Sequence, residues 1–233
     1  MNLQAVLDKL NGLASPVHFQ QLAKFGINSS KALGIKIPHL RSLAKVIGKN
    51  HPLALELWAT EIHEARILAS MIESPENITE QQFDAWVNDF DSWDLCDQTC
   101  DLLGCSELVL KKIEEYSTRE EEFVKRAAFS LMCELAFYSK DKDNLIFYRF
   151  FEIIIREAWD DRNFVRKSVN WALRQIGKRN EILRLKALET AEQIATQPTK
   201  SARWIAKDAI RELTDEKVVE RVQKKALKIV NSE

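Results

Sequence analysis

Glycine and proline are scarce in this sequence, with six and five residues respectively among 233. Average proteins contain about 7% glycine and about 5% proline. Both residues interrupt helices and serve the turns between strands, so their scarcity argues against a turn-rich β-sheet protein. Leu, Ala, Ile, Glu and Lys abound instead, and most of these favour helix. The composition therefore predicts an almost wholly helical, all-α protein.

Cysteine is also scarce and shows no metal-binding pattern. No two cysteines have the C-x-x-C spacing of a zinc site, and no histidine lies near them in the sequence. We therefore expect no metal site and predict reduced, mostly buried thiols. The four residues are Cys96, Cys100, Cys105 and Cys133.

Long apolar runs and a charge excess are missing too. The most apolar segment, 145–155, contains Arg149 and Glu152 and is far shorter than the roughly 20 residues of a membrane span. The N-terminal residues lack the basic and apolar regions of a secretory signal. The net charge is −1, which by itself gives no argument for a nucleic-acid partner. We expect a cytoplasmic protein without membrane contact.

Apolar residues at helical spacing indicate a succession of helices. Residues 1–25 are predicted to form one or two helices broken at Ser15-Pro16, and Pro38 is predicted to lie in the first turn of another. Between them, 26–38 is the longest irregular stretch. It either presents its backbone and Lys36 to a ligand or simply connects two helices. Further helices are predicted at Leu53–Trp58, His63–Ile72, Glu80–Phe90, Trp93–Leu103, Glu107–Tyr116 and 215–233.

A repeat occupies the second half of the chain. FVKRAA at 123–128 aligns with FVRKSV at 164–169 and, after about 40 more residues, with WIAKDA at 204–209. This period is typical of HEAT-type repeats of two helices each. Stacked repeats bury one face on their neighbours and curve into a solenoid, an α-α superhelix with a concave groove. We predict one such domain over 1–233. Its buried stripes are predicted to be Val124, Ala128, Leu131 and Leu135, then Val165, Val169, Ala172 and Ile176.

A basic residue recurs at one position of the repeat, as Arg126, Lys167 and Lys207. Steps of four and seven residues from these positions define a stripe that includes Arg174 and Arg211. A stripe that is basic in three consecutive units favours contact with a phosphate backbone. The alternative is a plain solvated face, because helical surfaces are rich in Lys and Arg.

Trp171 lies on this basic stripe, between Lys167 and Arg174, and not on the apolar stripe. This placement favours an aromatic ring that meets a ligand. The stems of Lys and Arg can also pack over a structural Trp, which is the alternative.

A second candidate site begins at Asp91-Ser92-Trp93-Asp94. Asp91 or Ser92 can cap a helix, and Asp94 suits the positive end of its dipole. Trp93 and Asp97, four residues apart, share one helical face. An indole ring beside a carboxylate suits a flat or sugar-like ligand on which positive charge develops. The alternative is a core Trp next to a solvated acid.

Together these segments resemble the AlkD-type DNA alkylation repair glycosylases, helical-repeat proteins that excise alkylated purines. The resemblance rests on Gly34-Ile35-x-x-Pro38, Ser92-Trp93-Asp94-x-x-Asp97 and the units at 123–126 and 164–174. It implies that Asp97 is the catalytic carboxylate and that Trp93 and Trp171 are active-site tryptophans. It also implies that Arg126 grips DNA, with Lys125 as the alternative. The other DNA-binding candidates are Arg166, Lys167, Arg174, Lys207, Arg211 and Lys36.

The resemblance implies a DNA glycosylase that hydrolyses the N-glycosidic bond of cationic N3- or N7-alkylated purines in duplex DNA, within base-excision repair. The cationic base is a good leaving group, so a carboxylate near C1′ would mainly stabilise the oxocarbenium-like sugar. No lysine stands out as a Schiff-base nucleophile, which predicts a monofunctional enzyme. We expect no metal, no cofactor and a monomer. The alternative is a non-catalytic HEAT-repeat scaffold that binds DNA or protein, which has no evident need for Trp93, Asp97, Arg126 and Trp171 together.

Overall fold

The structure is a computed structural model that describes residues 1–28, 30–139 and 143–230, with the side chains of these residues up to Lys224. Within these ranges the chain is helical and contains no strand, which confirms the predicted fold class. None of the helices described is long and apolar enough to cross a membrane.

The helices agree closely with those predicted from periodicity. In chain order they are α1 (Leu3–Leu13), α2 (Pro16–Leu22), α3 (Ile37–Ile47), α4 (His51–Ala59), α5 (His63–Ile72), α6 (Glu80–Asn88), α7 (Trp93–Leu103), α8 (Val109–Ser117), α9 (Glu122–Tyr138), α10 (Asn144–Glu157), α11 (Asn163–Gly177), α12 (Glu181–Ala195), α13 (Lys200–Leu213) and α14 (Glu216–Val230). Short 3-10 helices lie at Ala23–Phe25 and Pro75–Asn77. The break at Ser15-Pro16 and the bounds of α5 and α7 are confirmed, whereas α8 begins at Val109 and not at Glu107. Residues 231–233 of the predicted C-terminal helix lie outside the part of the chain that the structure describes.

Side-chain caps explain where several helices begin. At α4, α6, α12 and α13, an oxygen of the preceding side chain accepts a hydrogen bond from the backbone N–H three residues later. Each cap satisfies one of the amides that a helix start leaves without an intrahelical partner, and its loss typically costs about 1 kcal/mol. The four capping residues are Asn50, Thr79, Asn180 and Thr199.

The helices divide between two compact units, Met1–Val109 and Leu110–Glu233. In the first unit, α5 packs against α3, α4 and α7, while α1 packs against α4 and α5. In the second unit, α9, α11 and α13 pack side by side as one layer, and α10, α12 and α14 form the other. Successive helices alternate between these layers, as expected for two-helix repeats. That the two units act as one domain stays a prediction.

The predicted core stripes of α9 and α11 are confirmed. Every member of both stripes is buried, with at most 3% of its surface exposed. Burying an aliphatic side chain of this size contributes about 1.5–3 kcal/mol, so these stripes supply much of the packing between α9 and α11. None of the four cysteines forms a disulfide, and all except Cys105 are buried, as predicted.

Candidate functional site

Trp93 and Asp97 lie on the first and second turns of α7 in the first unit. Both side chains are partly exposed, so neither is a full member of the core. The indole Nε1 of Trp93 donates a hydrogen bond to the backbone oxygen of Phe25, with 2.9 Å between the two atoms. This bond fixes the orientation of the indole ring relative to the segment that precedes the 26–38 loop.

The start of α7 is held by an ion pair in its first turn. Ser92 occupies the N-cap position, but its hydroxyl makes no capping hydrogen bond. Asp94 instead joins α7 to α5, because its Oδ2 lies 2.9 Å from Nε2 of the buried His63. Asn28 makes a second contact with the residues that precede α7, since its side-chain amide donates a hydrogen bond to the carboxylate of Asp91 at 2.8 Å.

The pKa shifts of His63 and Asp94 both favour the charged pair. Burial alone lowers the pKa of His63, but the hydrogen bond and the negative charge of Asp94 outweigh it, so the pKa is raised. Burial alone raises the pKa of Asp94, but the hydrogen bond and the charge of His63 leave it below its ordinary value. Charged His63 and Asp94 therefore stabilise each other at near-neutral and mildly acidic pH.

Glu64, the next residue of α5, anchors the 26–38 loop. Its buried carboxylate accepts hydrogen bonds from the backbone N–H groups of Leu33, Gly34 and Ile35, at 2.8, 2.6 and 3.0 Å. These three amides satisfy a charge whose burial would otherwise be costly. Lys36, directly after them, precedes α3 and is exposed. The 33–35 segment is therefore held against α5, and Lys36 lies at the surface directly after it.

Gly34 is required by the backbone path of this loop. Its φ is +75°, and a Cβ atom added there would lie 2.5 Å from the Ser15 oxygen and 2.6 Å from the Phe19 nitrogen. Both distances are far below van der Waals contact, and backbone atoms cannot rotate away. Only glycine fits the position, which accounts for one residue of the Gly34-Ile35-x-x-Pro38 motif.

A polar pocket of about 310 Å³ opens at the N-terminal ends of α5 and α7. Its carboxylates are paired with neighbouring donors: Glu61 forms an ion pair with Lys31, and Asp89 accepts from Arg66 and from Trp58. Among the residues that the structure describes, no group of three or more His, Cys, Asp or Glu side chains is arranged to hold a metal ion. The lining residues are Asn28, Ser30, Lys31, Glu61, His63, Arg66, Asp89, Asp91 and Leu95.

In the second unit, Trp171 lies near the middle of α11 and is partly exposed. Its neighbours Val169 and Ala172 are fully buried, so Trp171 lies off the core stripe. The exposed side chain of Lys167 is one turn earlier on the same helix.

The prediction that the basic stripe is exposed is wrong for α9. Arg126 and Lys125 are only 5% and 6% exposed, and the stripe positions Ser130 and Cys133 are fully buried. Residues 124–136 are all buried, because α9 is enclosed on every side of its helical surface. Sequence periodicity does not reveal this, since Lys and Arg are almost never fully buried unless they are paired.

Both buried cations of α9 have partners within the protein. Nη1 of Arg126 donates to the backbone oxygen of Phe164 at 2.8 Å, which links α9 to the start of α11. Nζ of Lys125 lies 2.8 Å from the Glu157 carboxylate and 3.7 Å from that of Asp160. Lys125 is thus one charge of a buried ion-pair network. Its proposed contact with DNA stays an untested prediction, as does that of Arg126.

The basic residues of α11 and α13 differ from one another in their surroundings. Arg174 pairs with Glu212 and lies 3.6 Å from Asp208, so it bridges α11 and α13. Arg211 pairs with Asp208 but is exposed. Arg166 lies over the ring of Trp204. Lys167 and Lys207 are exposed, and no carboxylate among the described side chains lies within ion-pair distance of either.

Sequence reasoning missed His63 and Glu64. The four histidines of the chain are scattered without metal or triad spacing, which gave no reason to assign them a role. The signal that was available is the placement of two adjacent polar residues at the first turn of an otherwise apolar helix. Their partners lie about 30 residues away in opposite directions along the chain, so only the folded structure identifies them.

Comparison with known proteins agrees with this architecture. A family model described as "DNA alkylation repair enzyme" matches residues 6–213. The chain therefore belongs to the DNA alkylation repair enzyme family. None of the curated proteins compared with the chain matches it significantly.

Solved structures show the fold. One is described as "a new family of proteins related to the HEAT-like repeat DNA glycosylases with affinity for branched DNA structures". It is 20% identical, with a TM-score of 0.76 over 91% of this chain and 95% of its own. The chain thus has a HEAT-like repeat fold. An engineered protein that is 16% identical superposes with a TM-score of only 0.37, over 75% of this chain and 90% of its own.

The structure places the candidate residues in two groups. Trp93, Asp97 and Lys36 belong to the first unit, whereas Trp171 and the remaining basic candidates belong to the second. Within the first unit, Trp93 and Asp97 share a partly exposed face of α7. That both groups form one site stays a prediction.

Proposed function

We propose that this protein is a DNA glycosylase that removes cationic N3- or N7-alkylated purines from duplex DNA. The observation that carries the proposal is the Trp93–Asp97 face of α7. A partly exposed carboxylate lies one turn from an indole ring whose orientation is set by the Phe25 oxygen. Membership of a DNA alkylation repair family supports the same function.

Departure of the alkylated base needs little catalytic help from the protein. Alkylation at N3 or N7 makes the purine cationic, so the glycosidic bond breaks without strong general-acid assistance. The positive charge then moves to the sugar, where the Asp97 carboxylate stabilises the oxocarbenium-like transition state and orients the attacking water. The ring of Trp93 packs against the deoxyribose and excludes solvent, which strengthens this electrostatic interaction. The product is an abasic site and a free alkylpurine, without strand cleavage.

The exposed cations of the second unit bind the phosphates of the DNA backbone. Lys167 and Lys207 are free of protein carboxylates among the described side chains, so each can neutralise a phosphate without breaking an ion pair. Arg211 must break its ion pair with Asp208 to make such a contact. Arg126 acts through the start of α11, which its guanidinium holds at the Phe164 oxygen.

The direct test is release of free alkylpurine from methylated duplex DNA by the purified full-length chain. We expect 3-methyladenine or 7-methylguanine to appear in single-turnover reactions, while Asp97→Asn protein releases far less. Strand breaks should appear only after chemical cleavage of the abasic product. Equal release by the wild-type and Asp97→Asn proteins, or none above the spontaneous rate by either, would reject the proposal.

A second candidate is a non-catalytic repeat protein that recognises DNA structure. The observation in its favour is the solved protein of the same fold that is described as having affinity for branched DNA. This candidate predicts binding of undamaged branched DNA without release of any base. Binding and release measured on the same preparation distinguish the two functions.

A further inference from the structure

The first position of each aligned repeat segment carries an aromatic residue that the proposed function does not use. Phe123, Phe164 and Trp204 open the three aligned segments. The rings of Phe123 and Phe164 are neighbours, with 5.5 Å between their centroids and 34° between their planes. Trp204 holds the same position on α13, where 38% of its surface is exposed. The repeat therefore sets a row of three aromatic positions, one on each of α9, α11 and α13, and the last of them is an exposed indole.

Arg166 extends this row with a cationic plane. Its guanidinium carbon lies 5.3 Å from the centroid of the Trp204 ring, a cation–π distance. Lys200 and Lys207, four residues before and three residues after Trp204, share its face of α13. Both are exposed. Asp208, four residues after Trp204, also lies on this face, but its carboxylate is paired with Arg211 and Arg174. Trp204 is thus an accessible aromatic ring beside lysines that can meet a phosphate.

The tryptophans outside the proposed catalytic site do not have these surroundings. Trp58 and Trp86 are buried and stack on each other, with centroids 4.0 Å apart. Trp159 is 54% exposed and also has a cation nearby, since Nζ of Lys125 lies 5.6 Å from its ring. That ammonium group, however, is neutralised by Glu157 and Asp160. Phosphates approaching Trp159 would meet these acidic neighbours, whereas those approaching Trp204 would meet unpaired lysines.

We propose that Trp204 and Arg166, flanked by Lys200 and Lys207, form a platform that binds the unpaired bases of single-stranded DNA. Aromatic rings and guanidinium planes stack on any base, because every base has a π-face. Neighbouring lysines attract the strand through its phosphates. In an intact duplex the bases stack on one another and cannot reach an indole ring. The platform therefore distinguishes unpaired from paired DNA, a distinction beyond the excision proposed above.

The test measures binding of a fluorescein-labelled homothymidine strand and of a blunt undamaged duplex to the full chain by fluorescence anisotropy. We expect Trp204→Ala to weaken single-strand binding by about tenfold, the loss of one base–aromatic stack. Duplex binding should change by less than about twofold, because no base stack is lost there. Trp204→Phe should retain most single-strand affinity, since it keeps an aromatic face. Trp159→Ala is the matched control and should bind both probes as the wild type does.

Arg166→Lys, which keeps the positive charge but loses the guanidinium plane, provides a second variant in case Trp204→Ala does not fold, as judged by circular dichroism. We expect the same selective loss of single-strand affinity from it. Wild-type single-strand affinity in folded Trp204→Ala, or an equal loss on the duplex, would overturn the proposal. So would a Trp204→Phe protein as weak as Trp204→Ala. Neither probe contains a lesion, so the result is independent of whether the protein excises alkylated bases.

Discussion

Nε2 of His63 lies 2.9 Å from Oδ2 of Asp94, and this contact joins the first turn of α5 to the first turn of α7. Each helix carries a further group beside this contact. Glu64, next to His63, anchors the 33–35 backbone, and Trp93 and Asp97 lie on either side of Asp94 along α7. The first turn of α5 therefore positions both the loop before α3 and the helix that bears the proposed catalytic carboxylate.

This contact predicts a pH-dependent contribution to stability. The pKa of His63 is raised in the folded protein, so its contribution is complete below the ordinary histidine pKa of about 6.5 and is lost as the pH rises through the folded value. The pKa of Asp94 is lowered, so its contribution is complete above its ordinary value and is lost as the pH falls through the folded one. The pair therefore stabilises the folded protein most at mildly acidic pH, above the ordinary pKa of an aspartate and below that of a histidine.

The measurement is urea unfolding of the wild type and His63→Gln over a pH series. The difference in unfolding free energy should be largest in mildly acidic buffer and should shrink as the pH rises above neutrality. The charges of Glu64 and Asp91 also act on His63, but they are present in both proteins. A difference that does not change with pH would show that the pair is not charged.

Gly34→Ala should destabilise the protein by about 2 kcal/mol or more. The substitution combines a positive φ, which costs about 1 kcal/mol for alanine, with a Cβ that overlaps the Ser15 and Phe19 backbones. Gly48 is the control, because it has nearly the same φ and no atom within 4 Å of an added Cβ. Thermal or urea unfolding should show a larger loss for Gly34→Ala than for Gly48→Ala. Equal losses would mean that the loop moves aside at no cost.

Glu64→Gln should also be strongly destabilising, by about 2 kcal/mol. The glutamine amide has an NH2 group in place of one carboxylate oxygen, so it cannot accept all three backbone hydrogen bonds and at least one buried N–H is left without its partner. Glu61→Gln is the matched control, because Glu61 is exposed and its ion pair with Lys31 lies at the surface, where such pairs contribute little to stability. Urea unfolding compares the two, and equal effects would contradict the anchoring role of Glu64.

Asp97→Asn should reduce the single-turnover excision rate by about 10²–10³, the usual effect of removing one preorganised group that stabilises transition-state charge. Thermal stability and duplex affinity should change little, because Asp97 is partly exposed. Asp101→Asn, one turn later on α7 and exposed, should excise at the wild-type rate. A large fall in melting temperature for Asp97→Asn alone would indicate that Asp97 supports the fold instead.

Lys207→Ala should flatten the plot of log duplex affinity against log salt concentration by about 1, the effect of one lost phosphate contact. Lys186→Ala on α12 is the control, because Lys186 pairs with Glu189 in the other helix layer. Arg126→Ala should act differently and lower the unfolding free energy by about 2 kcal/mol, since it leaves the Phe164 oxygen without this buried donor. An unchanged salt slope for Lys207→Ala would place the DNA contacts elsewhere.

The candidate site was predictable from sequence only where its residues are neighbours along the chain. Trp93 and Asp97 share a helical face because they are four residues apart, and Trp171 leaves the core stripe because it is out of phase with it. The partner of Trp93 could not be predicted in this way. The Phe25 oxygen that holds its ring lies 68 positions earlier in the sequence, and no local pattern marks it.

The sequence by itself determined the helices, their period and their buried stripes, because these follow from the local spacing of apolar residues, caps and breaks. Tertiary structure decided what the charged residues do. Arg126 and Lys167 occupy the same repeat position, yet Arg126 is buried against Phe164 while Lys167 is exposed. Helical periodicity assigns a residue to a face, whereas the solvation of that face depends on which other helices pack against it. The contacts of His63 and Glu64, and the pairing of Arg174 with Glu212, arise in the same way from segments that only folding brings together.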